Sequence, residues 1–260
     1  MGVVARSHSG RATDCKSVYP SSILGRASKN LAPFSCGVFV KSHAYIPPVQ
    51  QALSFLHVSA QFVIIDKPSG LLTVPGRGAD KADCLLTRVQ LEFPDAMIVH
   101  RLDMATSGIV VMGRGAYYQR ELSVLFHDRK VKKHYQALVD GQLPLGAEGE
   151  INLPIAADWP NRPRQKVDLI AGRASLTGYR VISVDRQTKS SRLELVPVTG
   201  RTHQLRVHME SAGHPILGDE LYGTEQSRAK ANRLMLHASL IEFVNPATGC
   251  LLSVVSAPNF

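Results

Sequence analysis

His100-Arg101-Leu102-Asp103-Met104-Ala105-Thr106-Ser107-Gly108 runs directly into the apolar stretch Ile109-Val110-Val111-Met112. The apolar stretch reads as a strand and the polar run as the loop that feeds it. An aspartate on such a loop is positioned to act on something bound above the strand. Upstream, Phe62-Val63-Ile64-Ile65 reads as a second strand, ended by the turn Asp66-Lys67-Pro68-Ser69-Gly70. Leu85, Leu86, Val89 and Phe93 recur at helical spacing up to Pro94. Downstream, Gly113 and Gly115 break the strand, and Tyr118, Leu122, Leu125 and Phe126 mark one face of a helix. The basic run Arg129 to Lys133 then leads through Tyr135 into a strand at Ala137-Leu138-Val139.

The segment from Gly141 to Gly172 is rich in proline and reads as a loop, with regular helix ruled out. Within it, Trp159-Pro160-Asn161-Arg162-Pro163-Arg164-Gln165-Lys166 either touches RNA through its cations or is a surface loop with Trp159 plugging the core. Strands return at Leu176 to Val184 and Arg192 to Pro197. Gly200 breaks the second, Thr202 can cap, and Gln204 to Ala212 has helical spacing. Three short strand-like runs close the chain, at 234–237, 241–244 and 251–255. Regular alternation of strand and helix is absent. The pattern therefore predicts an α+β fold with a mixed, largely antiparallel sheet, rather than a doubly wound one.

Lys plus Arg total 30 against 21 acids, a formal net charge of +9. Such a balance suits a polyanionic partner without requiring one. Eight Phe, seven Tyr and one Trp are too few for an aromatic-studded single-strand platform. Cys15, Cys36, Cys84 and Cys250 are scattered, which argues against a zinc ribbon and a disulfide scaffold and suits a reducing cytoplasm. The apolar runs are strand-sized, so no membrane span is expected.

Residues 1–48 lack helical or strand periodicity and carry one acid, Asp14. A transit peptide and a basic RNA-touching arm are two readings. The preferred one is that Gly10 to Pro20 is a transfer-RNA gene read as protein, since Asp-Cys-Lys-Ser-Val can be encoded by GAC TGT AAA TCC GTC, which resembles a tyrosine tRNA anticodon arm. Translation would then start downstream, at a GTG codon for Val38 or Val40, and no packed fold is expected in 1–48. Peptides from residues 1–30 in the mass spectrum of the native protein would contradict that start. The catalytic domain is expected over 49–260.

Three segments together resemble the RluA family of pseudouridine synthases. They are His100-Arg101-Leu102-Asp103 with Thr106-Ser107-Gly108; Lys133, Tyr135 and Ala137; and Gly200-Arg201-Thr202-His203-Gln204-Leu205-Arg206. The turn Asp66 to Gly70 and the run Gly213 to Asp219 extend the likeness, which covers about residues 55–260. The resemblance implies a central catalytic cleft in a sheet flanked by helices. It implies isomerisation of uridine to pseudouridine in RNA with no cofactor and no metal. Asp103, Tyr135 and Arg201 are the catalytic residues it implies, with Arg201 as the guanidinium beside Asp103; an opposite charge nearby favours an ionised carboxylate. Asp103 either attacks the anomeric carbon or removes the 2′ proton. Tyr135 offers a face for the flipped base, Arg101 fills the gap that base leaves, and Leu205 walls the pocket. Lys133 is a substrate-binding cation, and Lys67 is a phosphate-binding or structural lysine.

His203 and His208, five apart, lack metal-ligand spacing, and His100 and His203 are read as loop-holding hydrogen bonders. Trp159 to Val167 and Val74-Pro75-Gly76-Arg77 are similar to the family's dual-specificity members. Those members act on a tRNA anticodon stem-loop and on 23S rRNA. The expected partner is thus RNA, and the expected setting a cytoplasmic monomer with no membrane contact. The rivals are a non-catalytic RNA-binding module, a glycosylase releasing uracil, and a family member with another ribosomal target.

Overall fold

The structure is a computed structural model that describes residues 45–49 and 52–260. The expectation for 1–48 therefore lies almost wholly outside the described residues. Its last few are attached to the catalytic domain: Tyr45 Oη donates to the Asp83 carbonyl at 3.0 Å, and Arg88 Nη2 donates to the Pro48 carbonyl at 2.8 Å.

In chain order the strands are β1 (Ser54–Val58), β2 (Phe62–Lys67), β3 (Ala96–Ile98), β4 (Ser107–Arg114), β5 (Lys132–Asp140), β6 (Glu148–Asn152), β7 (Ile155–Ala157), β8 (Gln165–Val167), β9 (Leu176–Asp185), β10 (Ser190–Pro197), β11 (Leu236–Val244) and β12 (Leu251–Val255). The helices are α1 (Leu85–Gln90), α2 (Gly115–His127), α3 (Gln204–Ser211) and α4 (Glu225–Ala229). The main sheet runs β1-β2-β4-β11-β5-β10-β9-β6, with β3 on β4 and β12 on β11. Only β4 and β11 pair in parallel. The α+β class and the largely antiparallel sheet are as expected.

β4 is buried along nearly its whole length because both faces are covered. Val110 and Met112 pack toward α1 with Val63 and Ile65, while Ile109 and Val111 pack toward α2 with Phe62 and Ile64. That explains the unbroken apolar run Ile109 to Met112: a strand buried on both sides does not alternate. β10 alternates, with Leu193 and Leu195 in a separate cluster beneath α3. Tyr135 of β5 touches both that cluster and the one around α1, so it stands where the two halves of the sheet meet.

Several expected elements differ. The segment 141–172 holds three strands: β6 pairs with β9, and β7 pairs with β8 as a two-stranded ribbon. β6 buries only Ile151, so its sequence carries almost no alternation to read. The N-cap of α3 is His203, in the left-handed region at φ 55°, and not Thr202. The runs at 234–237 and 241–244 belong mostly to one strand, β11, whose pairing with β5 shifts between Ala238 and Leu240 and so breaks the visible pattern. At Gly108 φ is +111°, and a Cβ there would lie 2.3 Å from the Ala238 carbonyl oxygen. Glycine is what lets β4 approach β11 in parallel.

Candidate active site

The loop before β4 carries Asp103, β5 carries Tyr135, and the corner between β10 and α3 carries Arg201 to Arg206. They converge on one cleft of about 580 Å³ across the middle of the sheet. Asp103, Tyr135, Arg101, Lys133, Arg201 and Leu205 all line it, so each residue expected at the site is present there. Five of its lining residues are Lys or Arg (Arg101, Arg129, Lys133, Arg201, Arg206), and Asp103 is its one carboxylate among the described residues.

The guanidinium beside Asp103 is not Arg201. Arg206 Nη1 lies 3.5 Å from Asp103 Oδ2. Arg201 turns away, with Nε donating to the Ala174 carbonyl at 3.4 Å and its backbone N–H to Gln204 Oε1 at 3.0 Å. The expected Asp103–Arg201 pair is corrected to Asp103–Arg206. The reason lies in the fold. The left-handed His203 starts α3, and the third helical residue, Arg206, comes round to the same face as His203.

Arg206 is held from behind. Its Nε and Nη2 donate to the two oxygens of buried Asp219 at 2.8 and 2.7 Å, a bidentate pair. Asp219 also accepts the backbone N–H groups of Leu221 and Tyr222 at 2.9 and 3.1 Å. The Tyr222 ring lies under Arg206, with its centroid 5.0 Å from the guanidinium carbon. Sequence reading missed Arg206, Asp219 and Tyr222. Arg206 stood in the third motif without a role, Asp219 ended the Gly213–Asp219 run noted as a likeness, and Tyr222 lay in none of the segments singled out.

His203 closes the other side of Asp103, with Nε2 at 3.8 Å. Tyr222 Oη accepts from the Gln165 N–H at 2.7 Å and meets His203 Nδ1 at 2.7 Å. Tyr222 thus ties His203 Nδ1 to the backbone of Gln165 and turns Nε2 toward Asp103. Burial lowers the His203 pKa; Asp103 opposes that and Arg206 adds to it. His203 is therefore neutral at pH 7 and holds its corner by hydrogen bonding. His100 does the same for the signature loop. Its Nε2 accepts the Val111 N–H at 3.0 Å and its ring stacks on Phe126 at 4.4 Å. Burial, helped by the charge of Lys133, depresses its pKa to about 3.

Burial, with the charge of Asp103 adding to it, raises the Tyr135 phenol above its usual 10. The hydroxyl stays protonated at physiological pH. Burial lowers the Lys133 ammonium, which sits 5.9 Å from the Phe126 centroid on the cleft wall. Leu205 is buried in the core beneath α3 and shows its edge to the cleft. Arg101 is exposed at the rim. Lys67 is wholly buried and binds no phosphate. Its Nζ donates to the carbonyls of Pro68, Leu71 and Met104 at 2.9, 2.7 and 3.0 Å, tying β2 to the loop that carries Asp103. Burial draws its pKa down to about 7 against the pull of Asp103 and Asp66.

His208, the other histidine of the spacing argument, meets Thr177 Oγ1 at 2.8 Å and the Leu153 carbonyl at 3.0 Å. Among the described residues no three His, Cys, Asp or Glu side chains gather as metal ligands.

The profile of a family described as RNA pseudouridylate synthase matches residues 61–211. The chain is 44% identical over 216 residues to the dual-specificity RNA pseudouridine synthase RluA of Escherichia coli K12, spanning 83% of this chain and 98% of that protein. Its Yersinia pestis counterpart is 48% identical over 194 residues, 75% and 93% of the two chains. The solved structure of human RNA pseudouridylate synthase domain containing 1 is similar with a TM-score of 0.69 and 27% identity, covering 83% of this chain and 87% of that one.

Proposed function

This chain belongs to the RNA pseudouridylate synthase family, and from that premise we propose which of its residues carry the reaction and which RNAs it acts on. The protein is an RNA pseudouridine synthase, an isomerase of uridine. The conversion breaks the bond from N1 of uracil to C1′ of ribose and makes one from C5 to C1′. C5 loses a proton and N1 gains one, so atoms balance with no co-reactant.

Asp103 is the carboxylate that acts on the sugar. The observation that carries this is its setting: an anionic oxygen 3.5 Å from Arg206 Nη1, at the rim of a cation-lined cleft whose wall is Tyr135. Nucleophilic attack on C1′ and proton removal from C2′ both need that charge. Arg206 holds it in place and is itself held by Asp219. Tyr135 stacks on the flipped uracil. Its protonated hydroxyl suits it to a relay, giving up its own proton as it takes the one from C5, and not to the role of a resting base. Leu205 forms the apolar edge of the base slot. Arg101 at the rim fills the space that the flipped base leaves in the RNA, and Lys133 and Arg201 bind the phosphates beside it.

The substrates we propose are a tRNA anticodon-loop uridine and a hairpin of 23S rRNA. The likeness to dual-specificity relatives over nearly their whole length supports this, as does a cleft that suits a small loop read by shape. The setting we propose for the enzyme is the cytoplasm, where such RNAs are found, and its working form a monomer. Among the described residues no helix is long and apolar enough to cross a membrane.

Pseudouridine mapping of RNA from cells lacking the gene tests this. Loss at one tRNA position and one 23S position, restored by wild type and not by Asp103→Asn, is the expected result. Loss at ribosomal positions alone would move the specificity. Release of free uracil with a fall in RNA mass would mark a glycosylase.

A further inference from the structure

The ribbon of β7 and β8 carries at its tip the one tryptophan of the chain, and that tryptophan is not in the core. Trp159 is 67% exposed. A core-plugging role is therefore gone, and folding gives no reason to leave a large indole in water. The Arg162 guanidinium carbon lies 4.2 Å over one face of the ring. With two thirds of the residue exposed, the rest of the indole meets solvent.

The tip is rigid. Asp158 N–H donates to the Arg164 carbonyl at 3.0 Å, Arg164 N–H donates to the Asn161 carbonyl at 3.0 Å, and Asn161 Nδ2 donates to Asp158 Oδ2 at 2.9 Å. The ribbon is also fastened to the catalytic corner. Gln165 N–H donates to Tyr222 Oη, Arg164 lies 5.2 Å over the same ring, and Tyr222 in turn holds His203 beside Asp103. Trp159 thus stands on a ribbon bonded to the corner that faces Asp103. Arg162, Arg164 and Lys166 make its surroundings cationic.

We propose that Trp159, backed by Arg162, is a stacking site for a second unpaired nucleobase of the substrate RNA, separate from the uridine in the cleft. An indole with a guanidinium behind it binds the face of any base, while the neighbouring cations bind the adjoining phosphates. A stem-loop that offers one unpaired base to the cleft and another to Trp159 is bound at two fixed points. A duplex, or a loop too short to reach both, is not. The inference rests on the reading of the chain as an RNA-modifying enzyme.

Because Trp159 is the sole tryptophan, its emission reports the contact directly. The full-length Asp103→Asn enzyme is titrated with an anticodon stem-loop RNA that the wild type converts. Emission is expected to quench as binding saturates, and an abasic nucleotide at one loop position is expected to abolish the quench. In the wild-type background Trp159→Ala should raise KM about tenfold with kcat within twofold, the size expected for one lost base stack. Trp159→Phe should recover most of the loss, and the melting temperature of both should match wild type. Saturated binding with unchanged emission overturns the proposal. So does a quench that survives an abasic substitution at every loop position, or a Trp159→Ala enzyme with wild-type KM. Failure of the wild type to form pseudouridine in any RNA would instead overturn the functional reading beneath it.

Discussion

At Asp103, charge and geometry are supplied by three residues in series: the carboxylate, Arg206 at 3.5 Å, and Asp219 behind it in a bidentate pair. The series separates two arginines that stand in one short motif. Arg206→Ala should lower kcat by about 10²–10³-fold, the usual range for loss of one preorganised electrostatic partner. Arg206→Lys should recover little, since an ammonium cannot meet Asp219 with two donors and Asp103 with a third. Arg201→Ala should act mainly on KM. Single-turnover and steady-state kinetics on a stem-loop RNA check all three, and a larger kcat loss at Arg201 would reverse the assignment. The placement of Asp103 and Tyr135 in the cleft was legible because Asp103 is the one carboxylate of its motif and Tyr135 the one phenol of its own. Arg206 was not, because two arginines five apart compete, and only the left-handed turn at His203 decides which one returns to the cleft. His100 adds a pH effect. Its folded-state pKa near 3 lies below the ordinary 6.5, so the unfolded chain binds the extra proton first, and the stability this ring contributes is present above pH 6.5 and lost as pH falls toward 3. Between pH 7.5 and 5 the loss attributable to this ring should be about 2 kcal/mol. Urea denaturation at the two pH values, wild type against His100→Gln, should show that part of the loss missing in the variant. An unchanged difference would mean the ring titrates normally.

The strands with strong signals are those buried on one or both faces. Phe62 to Ile65, Ile109 to Met112 and the alternation of β10 were all legible in the sequence for that reason. β6, β7 and β8 were not, because β6 and β7 bury one residue each and β8 none, which leaves no period to count. The link between β2 and the Asp103 loop was half legible. The turn Asp66-Lys67-Pro68-Ser69-Gly70 was recognisable, but Lys67 read equally well as a phosphate ligand. Three carbonyl acceptors within 3.0 Å of its Nζ make it a tie between elements. Lys67→Met should keep the volume and remove the tie. It would leave those carbonyls without their partner at a cost of about 3 kcal/mol, and it would loosen the Met104 carbonyl next to Asp103. A fall of that size in the urea unfolding free energy, with kcat reduced and KM little changed, is the expected outcome. A stable variant with raised KM would return Lys67 to the RNA-binding residues.

For the whole molecule, a net charge of +9 says that a polyanion is a reasonable partner but not where it binds. The fold answers by bringing Arg101, Arg129, Lys133 and Arg201, which are scattered over a hundred positions, around one cleft with a single carboxylate. Arg206 is occupied by Asp103 and Asp219, and Arg101 fills the gap left by the flipped base, so three cleft cations, Arg129, Lys133 and Arg201, remain to meet phosphates. If each neutralises one phosphate of a single-stranded loop, the cleft contributes about −2.1 to the slope of the logarithm of affinity against the logarithm of salt. Raising salt from 50 to 200 mM should then weaken binding about eighteenfold through the cleft alone. Filter binding with Asp103→Asn, which separates affinity from turnover, measures that slope. Arg129→Ala should reduce it by about 0.7 while leaving kcat at saturating RNA near wild type, because Arg129 touches none of the residues that hold Asp103. A slope near zero would mean that base contacts, at the uracil slot and at Trp159, supply the affinity and that the basic rim serves solubility. A slope of about −2.1 or steeper that Arg129→Ala does not change would move the phosphates off this cleft and onto another basic face.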